Sequence, residues 1–321
     1  MSAWRPAAAL AVLRERAALL AEIRDFFAQR GVLEVETPLL ASAANPDAAI
    51  EPLRSGYTPH GGGTCQPLYL QTSPEFPMKR LLAAGSGSIY QLSRAFRNGE
   101  RGRLHNPEFT LLEWYRVDFD HHQLMSEVDA LVMQLLPGTA PALRRRYADL
   151  FAAHTGVELF DAGFDELRQS ADAAGLVTSA PCSREWLVEM LFELRVTPWL
   201  QCQQGVLVYD YPAAQASLSQ LSAEDQRVAQ RFEYFLGGIE LANGFHELGD
   251  AAEQQRRFEE ENRKRRQAGG EALPLDGHFL EALRQGLPDC SGVAMGVDRL
   301  LMLRCDARHI DEVLAFPFDR T

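Results

Sequence analysis

Arg97, Arg101, Arg103 and His105 crowd into FRNGERGRLH (96–105), in a chain whose formal net charge is -12. Arginine offers a planar fork that matches phosphate oxygens and stays charged at any relevant pH. A solvated hairpin tip accounts for such a loop. An anion cradle also accounts for the residues just beyond it: Asn106, Phe109, and then Glu113 and Tyr115 at strand spacing. Phe109, on the face where Arg97 can project, offers a ring on which a base can stack. Asn106 offers an amide for a purine edge. Together they describe an ATP site without a phosphate loop, since the chain has no GxxxxGK[ST] and no convincing GxGxxG.

Two further stretches carry chemistry. In FEYFLGGIELANGFHEL (232–248), Glu233, Glu240 and Glu247 sit in apolar surroundings. Each alone reads as a strand residue facing solvent. As a set around a glycine-rich kink they suit magnesium, which bridges carboxylates to phosphates, or an ammonium group. Alternation alone does not put Glu240, Asn243 and Glu247 on one face, so the reading requires a bulge or bend at Asn243–Gly244. His246 is a structural residue in this scheme, and no spaced His/Cys cluster supports zinc. In GVAMGVDR (292–299), Arg299 enters an apolar helix in its first turn, where a charge needs a partner. A triphosphate tail would supply one.

The elements that position these residues emerge from periodicity. Leu13, Ala17, Leu20, Ile23 and Phe27 mark an amphipathic helix reaching about Gln29, ended by Gly31. VLEVETP (32–38) reads as a strand stopped by Pro38. Residues 41–67, with HGGG at 60–63, read as loop, and PLYLQTSPEF (67–76) as a strand leading to a turn and a short helix through Met78, Leu81 and Leu82. SIYQLSRAFR (88–97) and EFTLLEWYR (108–116) form an antiparallel hairpin around the arginine loop. Period two places Phe109, Glu113 and Tyr115 on one face, with Leu112 and Trp114 on the other. Leu124, Val128, Leu131 and Leu135 mark a helix. Residues 138–204 read as helices and short links without chemistry, GVLVYDYP (205–212) as a buried strand, 252–267 as a charged helix, and SGVAMGVDRLLML (291–303) as strand, turn and buried helix. Hairpins followed by helices indicate an α+β fold with an antiparallel sheet flanked by helices, and residues 1–321 read as one domain.

Composition narrows the classes. Hydrophobic residues make up 46% and charged residues 24%, ordinary for a globular protein. A pI near 5.2 argues against a large nucleic-acid surface. The five cysteines form no CxxC pair, which excludes a disulfide framework and implies reduced thiols. With no secretory signal and no membrane-length apolar run, a cytoplasmic location is expected.

Three segments of the chain, at 30–40, 96–115 and 291–303, resemble in this order the signature motifs of class II aminoacyl-tRNA synthetases. RGVLEVETPLL (30–40) is similar to motif 1, the dimer-interface strand, FRNGERGRLHNPEFTLLEWY (96–115) to motif 2, and SGVAMGVDRLLML to motif 3. HNPEFT and the spacing of Glu113 and Tyr115 resemble lysyl-tRNA synthetase. That enzyme carries an N-terminal anticodon-reading OB-fold, and motif 1 here begins about thirty residues in. A stand-alone lysyl-synthetase-like catalytic domain resembles the elongation factor P–(R)-β-lysine ligase family, which attaches β-lysine to a protein lysine.

The resemblance implies roles. Arg97 would hold the α-phosphate and Arg299 the γ-phosphate of ATP. Phe109 would stack on adenine opposite Arg299, with Glu100, His105 and Asn106 near the nucleotide. Glu233 and Glu240 would hold Mg2+. Glu75, in SPEF, would take the amine near the substrate carboxylate, and Asn243 the carboxylate. Glu113, Tyr115 and Glu247 would take the side-chain ammonium. The implied partners are (R)-β-lysine or lysine, elongation factor P as acceptor and a second copy in a homodimer, with neither membrane nor tRNA. A tRNA-charging enzyme without an anticodon domain is the alternative. Two departures stand out: Gly99 occupies the Glu position of the synthetase Arg-x-Glu pattern, and Ala294 replaces a glycine of motif 3, where its methyl should reshape the amino-acid pocket.

Overall fold

The computed structural model describes residues 4–176 and 182–321. Its strands are β1 (Leu33–Glu34), β2 (Leu40–Ala41), β3 (Arg54–Tyr57), β4 (Gln66–Leu70), β5 (Ile89–Phe96), β6 (Glu108–Val117), β7 (Leu143–Arg146), β8 (Gly205–Pro212), β9 (Val228–Leu236), β10 (Ile239–His246) and β11 (Cys290–Gly296). Its α-helices are α1 (Leu10–Ala28), α2 (Glu75–Ala83), α3 (His121–Leu135), α4 (Tyr147–Thr155), α5 (Phe164–Ala173), α6 (Arg184–Leu191), α7 (Thr197–Gln201), α8 (Ala251–Gln267), α9 (Gly277–Gln285) and α10 (Val297–Arg304). Among the described residues no helix is long and apolar enough to cross a membrane. The chain folds as two compact units, Met1–Phe119 with Leu248–Thr321, and Asp120–Glu247.

The first unit is built on the strand order β1-β5-β6-β11, with a small second sheet β2-β4-β3. β5 pairs antiparallel with β6, and β6 with β11. One face of this sheet packs on α1: Phe27 stacks on Tyr90 at 4.4 Å and meets Trp114 edge-on at 5.3 Å. The α1 stripe differs from the expected one. Leu19, Ile23, Phe26 and Phe27 are fully buried while Ala17 is exposed. The aromatic pair needs the space over Trp114, and Arg16 turns inward to a buried partner described below.

The second unit has the strand order β10-β9-β8-β7. Leu124, Val128, Leu131 and Leu135 of α3 are all buried, and Tyr234 of β9 donates to Asp129 of α3 at 3.4 Å. The opposite face, with Val206, Val208, Tyr211 and Ala229, forms one core with residues of α4 to α7. Residues 138–204 therefore supply a hydrophobic cover, apart from 177–181, which lie outside the described residues. Gly237 and Gly238 make the β9–β10 turn with φ of 57° and 74°, the mirror-image turn that suits a two-residue hairpin. A Cβ at Gly238 would lie 2.9 Å from Gln201 Cα, so glycine is required there twice over.

The α+β class holds in both units, with corrections. The sheets are mixed: β1 runs parallel to β5, and β7 parallel to β8. Each of these pairs is joined by a long connection containing helices, which parallel pairing needs. β3, inside the stretch expected to be loop, and β7, inside the helical stretch, expose every side chain. With no buried face they carry no alternation to read.

Candidate active site

The arginine loop joins β5 to β6, and its hairpin register runs from Ile89–Tyr115 to Phe96–Glu108. Arg97 projects over Phe109, its Cζ 5.1 Å from the ring centroid, and its buried Nε has no hydrogen-bond partner. Gly99 sits at φ 80°, a left-handed turn in which a glutamate would be strained. The next residue takes over the charge: Glu100 lies 3.6 Å from Arg97. The departure from Arg-x-Glu is thus a shift of the carboxylate by one residue.

Arg299, in the first turn of α10, closes on the same loop. Its Nε donates to the Leu104 carbonyl at 3.3 Å, and its Nη2 lies 2.7 Å from His105 Nε2. Burial, reinforced by the positive Arg299, holds His105 below the usual histidine range, so it stays neutral and can accept. Asp298, beside Arg299, is buried and accepts from the Thr110 backbone N–H at 2.7 Å and from Arg16 of α1. This carboxylate ties α1, β6 and α10 together and fixes where Phe109 and Arg299 start.

Two residues of the loop behave otherwise than expected. Asn106 is buried; its amide nitrogen donates to Glu108 O at 2.7 Å and its oxygen accepts from Phe318 N at 3.0 Å. Its side chain holds the loop to the C-terminal segment instead of presenting an open edge to a purine. Arg101 is pinned by Asp311 at 2.8 Å and Asp319 at 2.6 Å. It is already neutralised, which removes it from the expected anion cradle.

On the sheet face away from α1, Glu113 is 2% exposed. Its Oε1 accepts from Tyr115 Oη at 2.7 Å and its Oε2 from Ser73 Oγ at 2.7 Å. Ser73 Oγ also accepts from the backbone N–H of Glu75 at 3.1 Å, and Glu75 begins α2, where the helix N-terminus favours a negative charge. Fully buried Lys79, one turn on, donates to Glu75 at 2.6 Å. Two carboxylates therefore share one lysine. Burial first, and then the charge of Glu75, push the Glu113 carboxyl up to about 7, against the hydrogen bonds of Tyr115 and Ser73. A second ammonium entering this cluster would complete its charge. Ala294 lies directly across from Glu113 on β11, so its methyl projects to the same face of the sheet. Ser73 and Lys79 escape a reading of the sequence, although the i, i+4 spacing of Glu75 and Lys79 is a usable signal.

In the second unit the expected bend exists but in another place. The β9–β10 register slips between Glu240 and Ala242, so Leu241 is the extra residue. Glu240 then pairs with Phe235, and Asn243 with Glu233. Glu233 and Phe235 share a face, so the bulge at Leu241 brings Glu240 and Asn243 onto one face with Glu233. Continued alternation adds Glu247, which is buried. A second bulge, at Asp210 with φ 59°, turns Tyr211 to the same face of β8. Glu233 accepts from Tyr211 Oη at 2.7 Å and from Arg231, whose Nε donates to Asn243 at 3.2 Å. Each Glu233 oxygen makes one of these bonds and keeps a second lone pair. With Glu240 on the same face, the pair suits a cation completed by phosphate oxygens and water. No cluster of three or more His, Cys, Asp or Glu positioned for a metal occurs among the described residues. His246 Nδ1 lies 2.8 Å from Gln230 Oε1, a structural contact.

A family model for class II tRNA synthetases (D, K and N) matches residues 2–320. The chain is 48% identical over its whole length to elongation factor P–(R)-β-lysine ligase of Vibrio atlanticus, covering 99% of that protein. It is 50% identical, again over its whole length and 99% of the relative, to the protein of that name from Edwardsiella ictaluri. Over 99% of this chain and 98% of the relative, it is 49% identical to that of Salmonella arizonae. The motif order, the arginine loop closed by Arg299 and these full-length likenesses agree: the chain belongs to the class II tRNA synthetase family (D, K and N), together with proteins named elongation factor P–(R)-β-lysine ligase.

Proposed function

We propose that this ligase activates (R)-β-lysine with ATP as an acyl-adenylate and transfers it to a lysine side chain of elongation factor P. The observation that carries the reading is the buried Glu113–Glu75–Lys79 cluster, which holds two carboxylates and one ammonium beside a loop built for a nucleotide. Such a pocket suits an amino acid with a second ammonium group. Glu75 takes the amine near the carboxylate, and Glu113 with Tyr115 takes the terminal one.

Activation begins when the substrate carboxylate oxygen attacks the α-phosphorus of ATP in line. The P–O bond to the leaving pyrophosphate breaks, and a mixed anhydride with AMP forms. Arg97 and Arg299 supply preorganised positive charge on the phosphates, and His105 holds Arg299 in place. Phe109 stacks on the adenine. Magnesium, held by Glu233 and Glu240, would neutralise phosphate charge. The neutral ε-amine of the acceptor lysine then attacks the adenylate carbonyl; an amide forms, AMP leaves, and the amine's proton passes to solvent. The reading assigns Asn243 to the substrate carboxylate and Glu247 to its terminal ammonium. It treats residues 1–321 as one catalytic domain of a cytoplasmic homodimer.

The test is exchange of labelled pyrophosphate into ATP. β-Lysine should drive it, and Arg97→Ala or Arg299→Ala should reduce it by about 10²–10³-fold with the fold intact. Exchange of normal rate in a folded Arg97→Ala protein would remove the nucleotide assignment.

A further inference from the structure

One rung of the first unit's sheet runs Gln91–Glu113–Ala294, each residue directly opposite the next on β5, β6 and β11. Directly paired residues project to one face with Cβ atoms about 5 Å apart. Gln91 is 2% exposed, and its amide oxygen is buried without a hydrogen-bond partner. Leaving a buried acceptor unpaired is costly, so native structures do it rarely. Both oxygens of its neighbour Glu113 already accept, from Tyr115 and from Ser73. An ammonium bound there has three hydrogens to place. Beside Glu113, Tyr115 and Glu247, which the reading already assigns to that ammonium, an amide oxygen across the rung adds an acceptor without adding charge.

We propose that Gln91 is a specificity-determining residue whose side-chain oxygen accepts a hydrogen bond from the terminal ammonium of the amino-acid substrate. The proposal rests on the diamino-acid reading of the site and names one more of its contacts. A neutral acceptor is what this position calls for. Glu75 and Glu113 share a single Lys79, and Glu247, which the reading assigns to the same ammonium, already supplies a third carboxylate, so a further one would exceed the two ammonium groups that the substrate brings. Ala294, at the far end of the rung, has no polar atom to offer in its side chain, so Gln91 is the polar end.

The experiment compares substrates as well as variants in pyrophosphate exchange. Gln91→Met keeps the length and approximate volume and removes the acceptor. With β-lysine, kcat/KM should fall about 10- to 100-fold, the range for a lost bond to a charged group. The KM for ATP and the melting temperature should hold. With 3-aminohexanoic acid, which lacks the terminal amine, the variant and the wild type should react alike. An equal loss with both substrates, or no loss with β-lysine, overturns the proposal. If Gln91→Met does not fold, Gln91→Asn, which draws the oxygen back by one methylene, carries the same comparison: a loss confined to β-lysine supports the contact and its absence overturns it. Failure of the underlying reading looks different, because the wild-type enzyme itself would then show no exchange that depends on a diamino acid.

Discussion

A carboxyl group buried beside a second carboxylate resists ionisation, and Glu113 is in that position. Its value near 7 has two consequences of known sign. Substrate binding wants the ionised form, so kcat/KM for the diamino acid should fall as pH drops below about 7, approaching tenfold per unit. Glu113→Gln should lower the plateau and remove that inflection. In the folded protein Glu113 keeps its proton to higher pH than in the unfolded chain. Its contribution to stability therefore declines as pH rises from the ordinary carboxylate range through about 7, and Glu113→Gln should flatten that decline in urea titrations. A profile in the variant identical to the wild type would show that another group titrates. Glu113 and Tyr115 are legible as an i, i+2 pair on a strand, and Arg97 with Phe109 as a charge beside a ring. Ser73 and Gln91 are not, because a lone Ser or Gln has the same local pattern whether it faces water or a buried neighbour. Asn106 misleads for the converse reason: its partner Phe318 lies over two hundred positions away, beyond any local rule.

At the scale of elements, the two hairpins that carry the site are written in their own residues. Alternation places β5 and β6, and the apolar run of GVLVYDYP marks β8 at its observed bounds, Gly205–Pro212. The bulges at Asp210 and Leu241 have no such signature. A bulge is set by how one strand registers against its neighbour, which a single segment does not contain. The need for a bend near Glu240 is visible, its position is not. The same limit hides the Arg16–Asp298 tie, which joins three elements distant in the chain. That tie makes a prediction. Asp298→Ala leaves Arg16 and the Thr110 N–H without their acceptor and should destabilise the protein by about 3–5 kcal/mol in urea unfolding. Arg24→Ala, which removes only the exposed pair with Glu34, should change stability by less than about 1 kcal/mol. Comparable small effects from both would mean that Asp298 does not hold the elements.

For the whole molecule the question is where the activated amino acid goes. A chain of net charge -12 has little to offer a polyphosphate backbone, and affinity for nucleic acid depends on neutralising phosphates. The arginines that stand out in the sequence divide by task. Arg97 lies over Phe109, Arg101 is neutralised by Asp311 and Asp319, and Arg299 is held by the loop it closes. On the proposed reading Arg97 and Arg299 serve the nucleotide while Arg101 serves the fold, which favours a protein amine as the acceptor. The most direct measurement is the intact mass of elongation factor P after incubation with this enzyme, ATP, magnesium and (R)-β-lysine. The account predicts a gain of one lysyl unit that depends on ATP and disappears when the acceptor lysine of elongation factor P is replaced. Efficient charging of tRNA with no change in the mass of elongation factor P would contradict it.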